Sequence, residues 1–270
     1  MLKELHVAFI GAGMMGEAMI AGLLKEELIP PGQIIATGPR AERRHYLHDR
    51  YGVVVTDDNR HAAEQADIVV FALKPQTLPK VLPTLRGAVK PEDLVLSILA
   101  GIPIATFRDT LEHATVVRAM PNTPAQIAEG MTVWTATESV TEAQRASVRT
   151  ILGALGREHY VADERYLDMA AALSGTGPAY CFLLLEALVD AGVHLGFPRR
   201  VAEELVLQTM YGSTLFAMQS GKHLAELRNM VTSPGGTSAA ALRALERGGL
   251  RTVLADGVWA AYERARELGK

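Results

Sequence analysis

The segment Gly11-Ala12-Gly13-Met14-Met15-Gly16 carries a chemistry in its spacing. It follows the apolar run His6–Ile10 and opens a helical pattern. In a strand, loop and helix of this kind, the first glycine permits a tight turn. The second admits a pyrophosphate to the backbone, and the third lets the helix pack on the strand. Phosphates then lie at the helix N-terminus, where free N–H groups and the helix dipole favour negative charge. Binders of NAD place an Asp or Glu at the end of the second strand, for the ribose 2′-hydroxyl. Here that strand ends Ala36-Thr37-Gly38-Pro39-Arg40 without an acid, and Arg43 and Arg44 follow. Three guanidiniums there suit a 2′-phosphate, which favours NADPH and leaves NADH as an alternative. The competing reading is a solvated basic face. Two further turns, Ala72-Leu73-Lys74-Pro75 and Leu99-Ala100-Gly101, end apolar runs where ligands gather in open α/β sheets. Each admits close approach of the cofactor's ribose or nicotinamide, or is an ordinary strand-end turn.

A second glycine loop, Ser233-Pro234-Gly235-Gly236-Thr237-Ser238, precedes the helical stretch Ala239–Arg247. Backbone N–H groups and hydroxyls concentrated at a helix start form an anion nest, suited to a substrate carboxylate. The same residues also read as a plain cap, since Ser and Thr are favoured there. A similar loop, Ser174-Gly175-Thr176-Gly177-Pro178, opens a long helix and is placed to close the other side of a pocket, with Thr176 at its centre. Beyond residue 162 the only lysines are Lys222 and Lys270, and the only histidines His194 and His223. A hydroxyacid dehydrogenase needs a base for the alcohol proton, and the long helix offers no lysine. The eight histidines form no metal signature, so no metal is expected. Cys181, among Tyr180, Phe182 and Leu183, reads as a small core residue.

The elements that must position these groups alternate through the first 160 residues. Strands are expected at His6–Ile10, Gln33–Thr37, Gly52–Val55, Ile68–Leu73, Leu94–Ile98, Thr115–Ala119 and Met131–Thr135. Helices are expected at Met14–Glu27, Ala41–Arg50, Arg60–Gln65, Leu78–Leu85 and Thr141–Leu152. Nearly continuous apolar strands separated by helices predict a parallel sheet covered on both faces. The pattern turns helical near Val161-Ala162-Asp163, with stretches at Glu164–Leu173, Pro178–Leu195, Pro198–Gln219 and Leu250–Leu268. These helices have narrow polar faces, which predicts either one well-buried core or packing against a second copy of the chain. A net charge of −3 excludes a generally basic, nucleic-acid-coating protein. The longest uncharged stretch, Met169 to Leu185, is broken by residues 174–178, so no membrane span is expected. With no signal peptide apparent and a single cysteine, a soluble cytoplasmic protein is expected.

Taken in order, Ile10–Gly16, Ala72–Pro75, Met120-Pro121-Asn122-Thr123-Pro124, Leu173–Tyr180, Val231–Ser238 and Leu245–Arg251 resemble the motifs of Δ1-pyrroline-5-carboxylate reductases, over nearly the whole chain. The resemblance implies an α/β fold: an N-terminal Rossmann-type, doubly wound, mostly parallel sheet (1–162), followed by an all-helical dimerisation and substrate-binding domain (163–270). It implies a homodimer or a higher assembly of dimers. The implied reaction is NAD(P)H-dependent reduction of a cyclic imino acid, 1-pyrroline-5-carboxylate, to L-proline, the last step of proline biosynthesis. Such an imine is easily protonated, so no strong base is required, in keeping with the missing Lys and His. Asn59 is implied to contact the cofactor adenosine. Ser233, Gly235 and the N–H groups of Gly236 and Thr237 are implied to hold the carboxylate, and Ser238 the ring nitrogen. Three positions depart from the family pattern. Gly38 replaces a Ser or Asn at the 2′-phosphate, which shifts that contact to backbone or Arg40. Met230 replaces a cofactor-contacting Asn, and Ser238 replaces a Thr but keeps the hydroxyl. The alternatives are an NADP-dependent reductase of other ketoacids or imines, and a non-catalytic dinucleotide sensor.

Overall fold

The computed structural model describes residues 2–268. Strands β1 (Val7–Ile10), β2 (Ile34–Thr37) and β3 (Val54–Thr56) alternate with helices α1 (Met14–Lys25), α2 (Ala41–Tyr51) and α3 (Asn59–Glu64). Then come β4 (Ile68–Phe71), α4 (Leu78–Val81, prolonged by a 3-10 turn to Leu85), β5 (Leu94–Ser97), α5 (Ile104–Leu111) and β6 (Val116–Met120). Strand β7 (Gly130–Ala136), α6 (Glu142–Gly153) and β8 (Gly156–Tyr160) complete this half. The sheet order is β3-β2-β1-β4-β5-β6-β7-β8, parallel at every neighbour except β6 and β7.

The short apolar strands explain the layering. All residues of β1, β2, β4 and β5 are buried, so both faces must be covered. Because side chains alternate, Val7, Phe9, Ile34 and Val70 join one core with Met19, Leu23, Val148 and Ile151. Ala8, Ile10, Val69 and Phe71 join the other, with Leu78, Leu82 and Phe107, whose ring lies 5.0 Å from that of Phe71. Such a sheet leaves the C-terminal ends of its strands as the place for ligands.

Two elements of this half lie outside the expected pattern. Helix α5 buries Ile104, Phe107 and Leu111 on one face and starts after Pro103. Strand β8 reads Gly-Arg-Glu-His-Tyr, too polar to announce itself. It is an edge strand, fixed by pairing with β7 and by the buried Trp134, whose indole N–H donates to Glu158 and whose ring meets Tyr160 edge-on.

The remaining helices are α7 (Arg165–Ala170), α8 (Gly177–His194), α9 (Arg199–Ser220), α10 (Leu224–Met230), α11 (Thr237–Arg247) and α12 (Leu250–Leu268). Helix α10 was not expected from its short, mixed sequence. The largest correction concerns residues 174–178. They are not a loop: a π turn at Ala171–Gly175 joins α7 to α8 in one continuous helix, Arg165–His194. That helix is long and apolar enough to cross a membrane by length and composition. Cys181 is exposed on α8, not a core residue. The chain forms two compact units: residues up to Pro178 together with those from Ala261 onward, and Ala179–Ala260. In the first, the buried Arg118 on β6 pairs with Glu164 at 2.9 Å and Asp168 at 2.7 Å, which anchors the start of α7 to the sheet.

Candidate active site

The turn after β1 is shaped by close backbone approach. Gly11 has φ 84°, and a Cβ there would lie 2.6 Å from Leu73 Cβ and 2.8 Å from Leu73 Cα. Only glycine fits. Ile10 accepts from the Ala72 N–H at 3.0 Å, and Ala12 donates to the Thr37 carbonyl at 2.9 Å. The Ile10–Gly16 loop, the end of β2 and the Ala72–Pro75 turn thus meet at one place, as the sequence reading required. Gly16 is buried with Ala72 beside it, the close helix approach expected of the third glycine. Thr37, not foreseen as part of the site, accepts from the Gly11 N–H at 3.1 Å and donates to Asn59 Oδ1 at 2.6 Å. Its signal was a hydroxyl at the end of an apolar strand. Asn59 is thereby placed beside the loop.

Helix α1 is capped by Gly13, which has no side chain to bond the first turn. Its leading N–H groups are those left unsatisfied at every helix start. With Met14 exposed and the tight Gly11 turn, they form a cradle that fits a dinucleotide pyrophosphate.

The three arginines divide. Arg43 donates to the Ala12 carbonyl at 3.2 Å, to the Gly13 carbonyl at 3.3 Å, and to Glu17 at 2.6 Å. Arg44 donates to the Gly38 carbonyl at 2.7 Å and to Asp57 at 3.3 Å. Both guanidiniums are bonded within the chain, which leaves Arg40 the least restrained of the three toward a phosphate. Arg40 is exposed, and its guanidinium makes no hydrogen bond or ion pair among the described residues. Glu17 also accepts from Tyr51 at 2.8 Å and Tyr46 at 3.0 Å. Burial pushes its carboxyl up, but the hydrogen bonds from Tyr51, Arg43 and Tyr46 outweigh this and hold it below the usual carboxylate range. At Gly101, the space of the missing side chain is filled by Leu268 of α12, 2.7 Å from where a Cβ would sit. The glycine is thus required by packing within the chain, and Ala100 beside it is half-buried.

In the π turn, Thr176 uses both its N–H and its hydroxyl on the Ala171 carbonyl, at 2.8 and 2.9 Å. Its hydroxyl is therefore left free to accept but not to donate. Asn122 lies beside this turn, donating to the Ser174 carbonyl at 3.1 Å and accepting from the Met131 N–H at 2.9 Å.

In the second unit, the turn Ser233–Gly236 opens α11. Gly236 holds the N-cap position with no side-chain cap, and a Cβ there would meet Ser233 Oγ at 2.5 Å. The N–H of Gly236 donates to the Ser233 carbonyl at 3.1 Å, so it closes the turn and is not free for a ligand. The first-turn N–H groups of Thr237 and Ser238 remain. Ser238 is half-buried, and its hydroxyl makes no hydrogen bond among the described residues. Among the described residues no group of His, Cys, Asp or Glu could hold a metal ion.

Comparison with known proteins matches these halves separately. Residues 6–101 fit the family described as NADP oxidoreductase, coenzyme F420-dependent, and residues 164–268 fit the family of pyrroline-5-carboxylate reductase dimerisation. The pyrroline-5-carboxylate reductase of Synechocystis is 40% identical over 267 residues, 99% of each chain. That of Pseudomonas aeruginosa is 40% identical, covering 98% of this chain and 97% of its own. The crystal structure of Plasmodium falciparum pyrroline carboxylate reductase, with NADP bound, superposes with a TM-score of 0.92 over the full length of both, at 29% identity. With the glycine cradle, the uncapped α11 turn and full-length identity agreeing, the chain belongs to the pyrroline-5-carboxylate reductase family.

Proposed function

We propose that this chain reduces 1-pyrroline-5-carboxylate to L-proline, with NADPH as the preferred reductant and NADH as the weaker one. The observation that carries the reading is the turn at Ser233–Ser238, whose free N–H groups and hydroxyls suit a small carboxylate, in a chain whose relatives bear that activity in their names. When bound, the nicotinamide supplies a hydride to the imine carbon. The residues of the chain do the rest by holding and orienting. Ile10–Gly16 with Ala72–Pro75 receive the pyrophosphate and neighbouring ribose, Asn59 the adenosine, and Arg40 the 2′-phosphate. The Gly38 backbone, expected to share that contact, is already occupied: its N–H donates to the Thr56 carbonyl at 3.4 Å and its carbonyl accepts from Arg44. Ala100 and Gly101 border the nicotinamide end. Ser233, Gly235 and the N–H groups of Thr237 and Ser238 hold the substrate carboxylate. The Thr176 hydroxyl, whose proton is given to the Ala171 carbonyl, can bond only an N–H of the substrate and not its carboxylate. The Ser238 hydroxyl bonds the ring nitrogen, which enters already protonated or takes a solvent proton relayed through this hydroxyl, so the serine ends as it began.

The cofactor half is assigned to 1–162 and the substrate half to 163–270, which the dimerisation match from residue 164 supports. The active form is a homodimer or an assembly of dimers, soluble in the cytoplasm, with neither nucleic acid nor membrane as partner. The apolar helix Arg165–His194 then finds its cover in a second copy, not in lipid. Loss of NADPH absorbance is the test, with pyrroline-5-carboxylate set against a panel of ketoacids and other imines. Turnover of the ketoacids with none of the imine would overturn the reading. Binding of NADPH with no turnover of any substrate would instead favour a sensor.

A further inference from the structure

We propose that Arg43 is a positioning residue for the dinucleotide, setting the glycine loop for pyrophosphate and cancelling a charge that would repel it. The proposal rests on the dinucleotide reading of Ile10–Gly16. Two observations carry it, and the first is geometric. Arg43 reaches from α2 to hold two consecutive carbonyls of the loop, Ala12 at 3.2 Å and Gly13 at 3.3 Å. A trans peptide carries its C=O and N–H on opposite sides. The Gly13 carbonyl already accepts the Glu17 N–H at 2.8 Å, so Arg43 reinforces that bond at Gly13 and alone adds the hold on Ala12, keeping the Met14 N–H turned outward and both carbonyls off the phosphates. Lysine, whose three N–H bonds radiate from one nitrogen on a flexible stem, does not reproduce the planar fork that spans two carbonyls and a carboxylate.

The second observation is electrostatic. Glu17 is the fourth residue of α1, one turn from the helix start that anions favour. An unpaired carboxylate there would oppose a pyrophosphate. Its two oxygens are instead taken, one by Arg43 at 2.6 Å and the other by the hydroxyls of Tyr51 and Tyr46. The Arg43 guanidinium also lies 5.1 Å from the Tyr46 ring centre, which fixes the fork from a further side. The pair is mostly sheltered, with side-chain exposures of 25% and 19%, so solvent screens it little. Arg43 acts on a part common to both nicotinamide cofactors, which separates it from Arg40.

The test is binding of NADPH and NADH to the otherwise unliganded protein, followed by cofactor fluorescence, with Michaelis constants beside it. Arg43→Ala should weaken both cofactors by a similar factor of about ten, with the loss falling on KM more than on kcat. Adding Glu17→Gln to Arg43→Ala should recover several-fold of that loss, because the uncompensated charge is removed. Arg43→Lys, which keeps the charge and loses the fork, should lie between wild type and Arg43→Ala, and gives the answer if the alanine variant does not fold. A loss confined to NADPH would make Arg43 a 2′-phosphate ligand and overturn the proposal. A double variant no tighter than Arg43→Ala would reduce Arg43 to a brace of the fold, and unchanged binding would remove its role altogether. Failure of the wild-type protein to bind either cofactor would strike the dinucleotide reading itself.

Discussion

The hydroxyl of Ser238 has no hydrogen bond within its own turn, and Gly236 rather than Ser238 holds the N-cap of α11. A lost cap costs about 1 kcal/mol, whereas a hydroxyl with no partner in the fold costs less than ~0.5 kcal/mol to remove. Ser238→Ala should therefore leave the melting temperature almost unchanged while turnover falls roughly ten- to hundred-fold, the mark of a bond that strengthens in the transition state. Ser238→Thr should retain activity because it keeps the hydroxyl. Normal turnover with a lowered melting temperature would return the residue to a structural role. Arg40 is judged by a different ratio. Its guanidinium is uncommitted, while Arg43 and Arg44 are bonded to loop carbonyls and acids. A charged hydrogen bond is worth ~1.5–3 kcal/mol, and an exposed one lies at the low end. Arg40→Ala should raise KM for NADPH about ten-fold and leave KM for NADH nearly unchanged; equal effects would separate Arg40 from the 2′-phosphate. Which arginine was free could not be read from the sequence, where the three look alike.

The π turn between α7 and α8 shows how an element absorbs a residue that ought to break it. Pro178 has no N–H, so the carbonyl four residues earlier, that of Ser174, loses its helical partner. Asn122 supplies the missing donor at 3.1 Å and with its other end holds Met131. The helix therefore runs through Ser174-Gly175-Thr176-Gly177-Pro178, which local propensity alone marks as a loop. Removing Asn122 leaves an orphaned carbonyl and an orphaned N–H, each costing ~1–3 kcal/mol where water cannot reach. Asn122→Ala should lower stability by about 2 kcal/mol in denaturant titration and raise KM for the substrate more than for NADPH, because Thr176 sits in the turn it secures. Asn122→Asp keeps the acceptor for Met131 but not the donor, and should fare no better than alanine. An unchanged denaturation midpoint in Asn122→Ala would show that the turn holds itself.

At the scale of the molecule, the two units differ in what they bury. The sheet is covered on both faces, but in the unit Ala179–Ala260 only Val189 and Ala202 are buried. Phe182, Leu183, Leu205, Tyr211, Phe216 and Trp259 are among the large side chains exposed there. Apolar area is worth roughly 25 cal/mol per Å² when removed from water, so a helical unit with two buried residues does not hold itself together. The proposed second copy would supply the cover, in keeping with the dimerisation match over 164–268. Sedimentation should show no active monomer, and the melting temperature should rise with protein concentration. Replacing Phe182 and Leu183 together by Asp should give an aggregating or inactive chain, while the sheet-forming half still binds NADPH. A monomeric, fully active full-length chain would refute this.

Local pattern was enough for the alternating half. Its strands are short, apolar and buried on both sides, so each declares itself by hydrophobicity, and the glycine spacing after β1 marks the cradle because only glycine tolerates the approach of Leu73. The Ser233–Ser238 turn was legible for the same reason, since glycine and hydroxyl residues at a helix start carry their own geometry. Strand β8, helix α5 and the continuous helix through Pro178 were not legible, because their stability comes from partners distant in the chain: Trp134, the sheet face and Asn122. The same holds for charge. Sequence placed three arginines near one strand end, and only the tertiary structure turned Arg43 onto the loop and Glu17, Arg44 onto Gly38, and left the Arg40 side chain exposed and unbonded among the described residues. Backbone conformation is set by neighbours a few residues away, whereas the direction of a long flexible side chain is set by whatever the fold brings within reach of it.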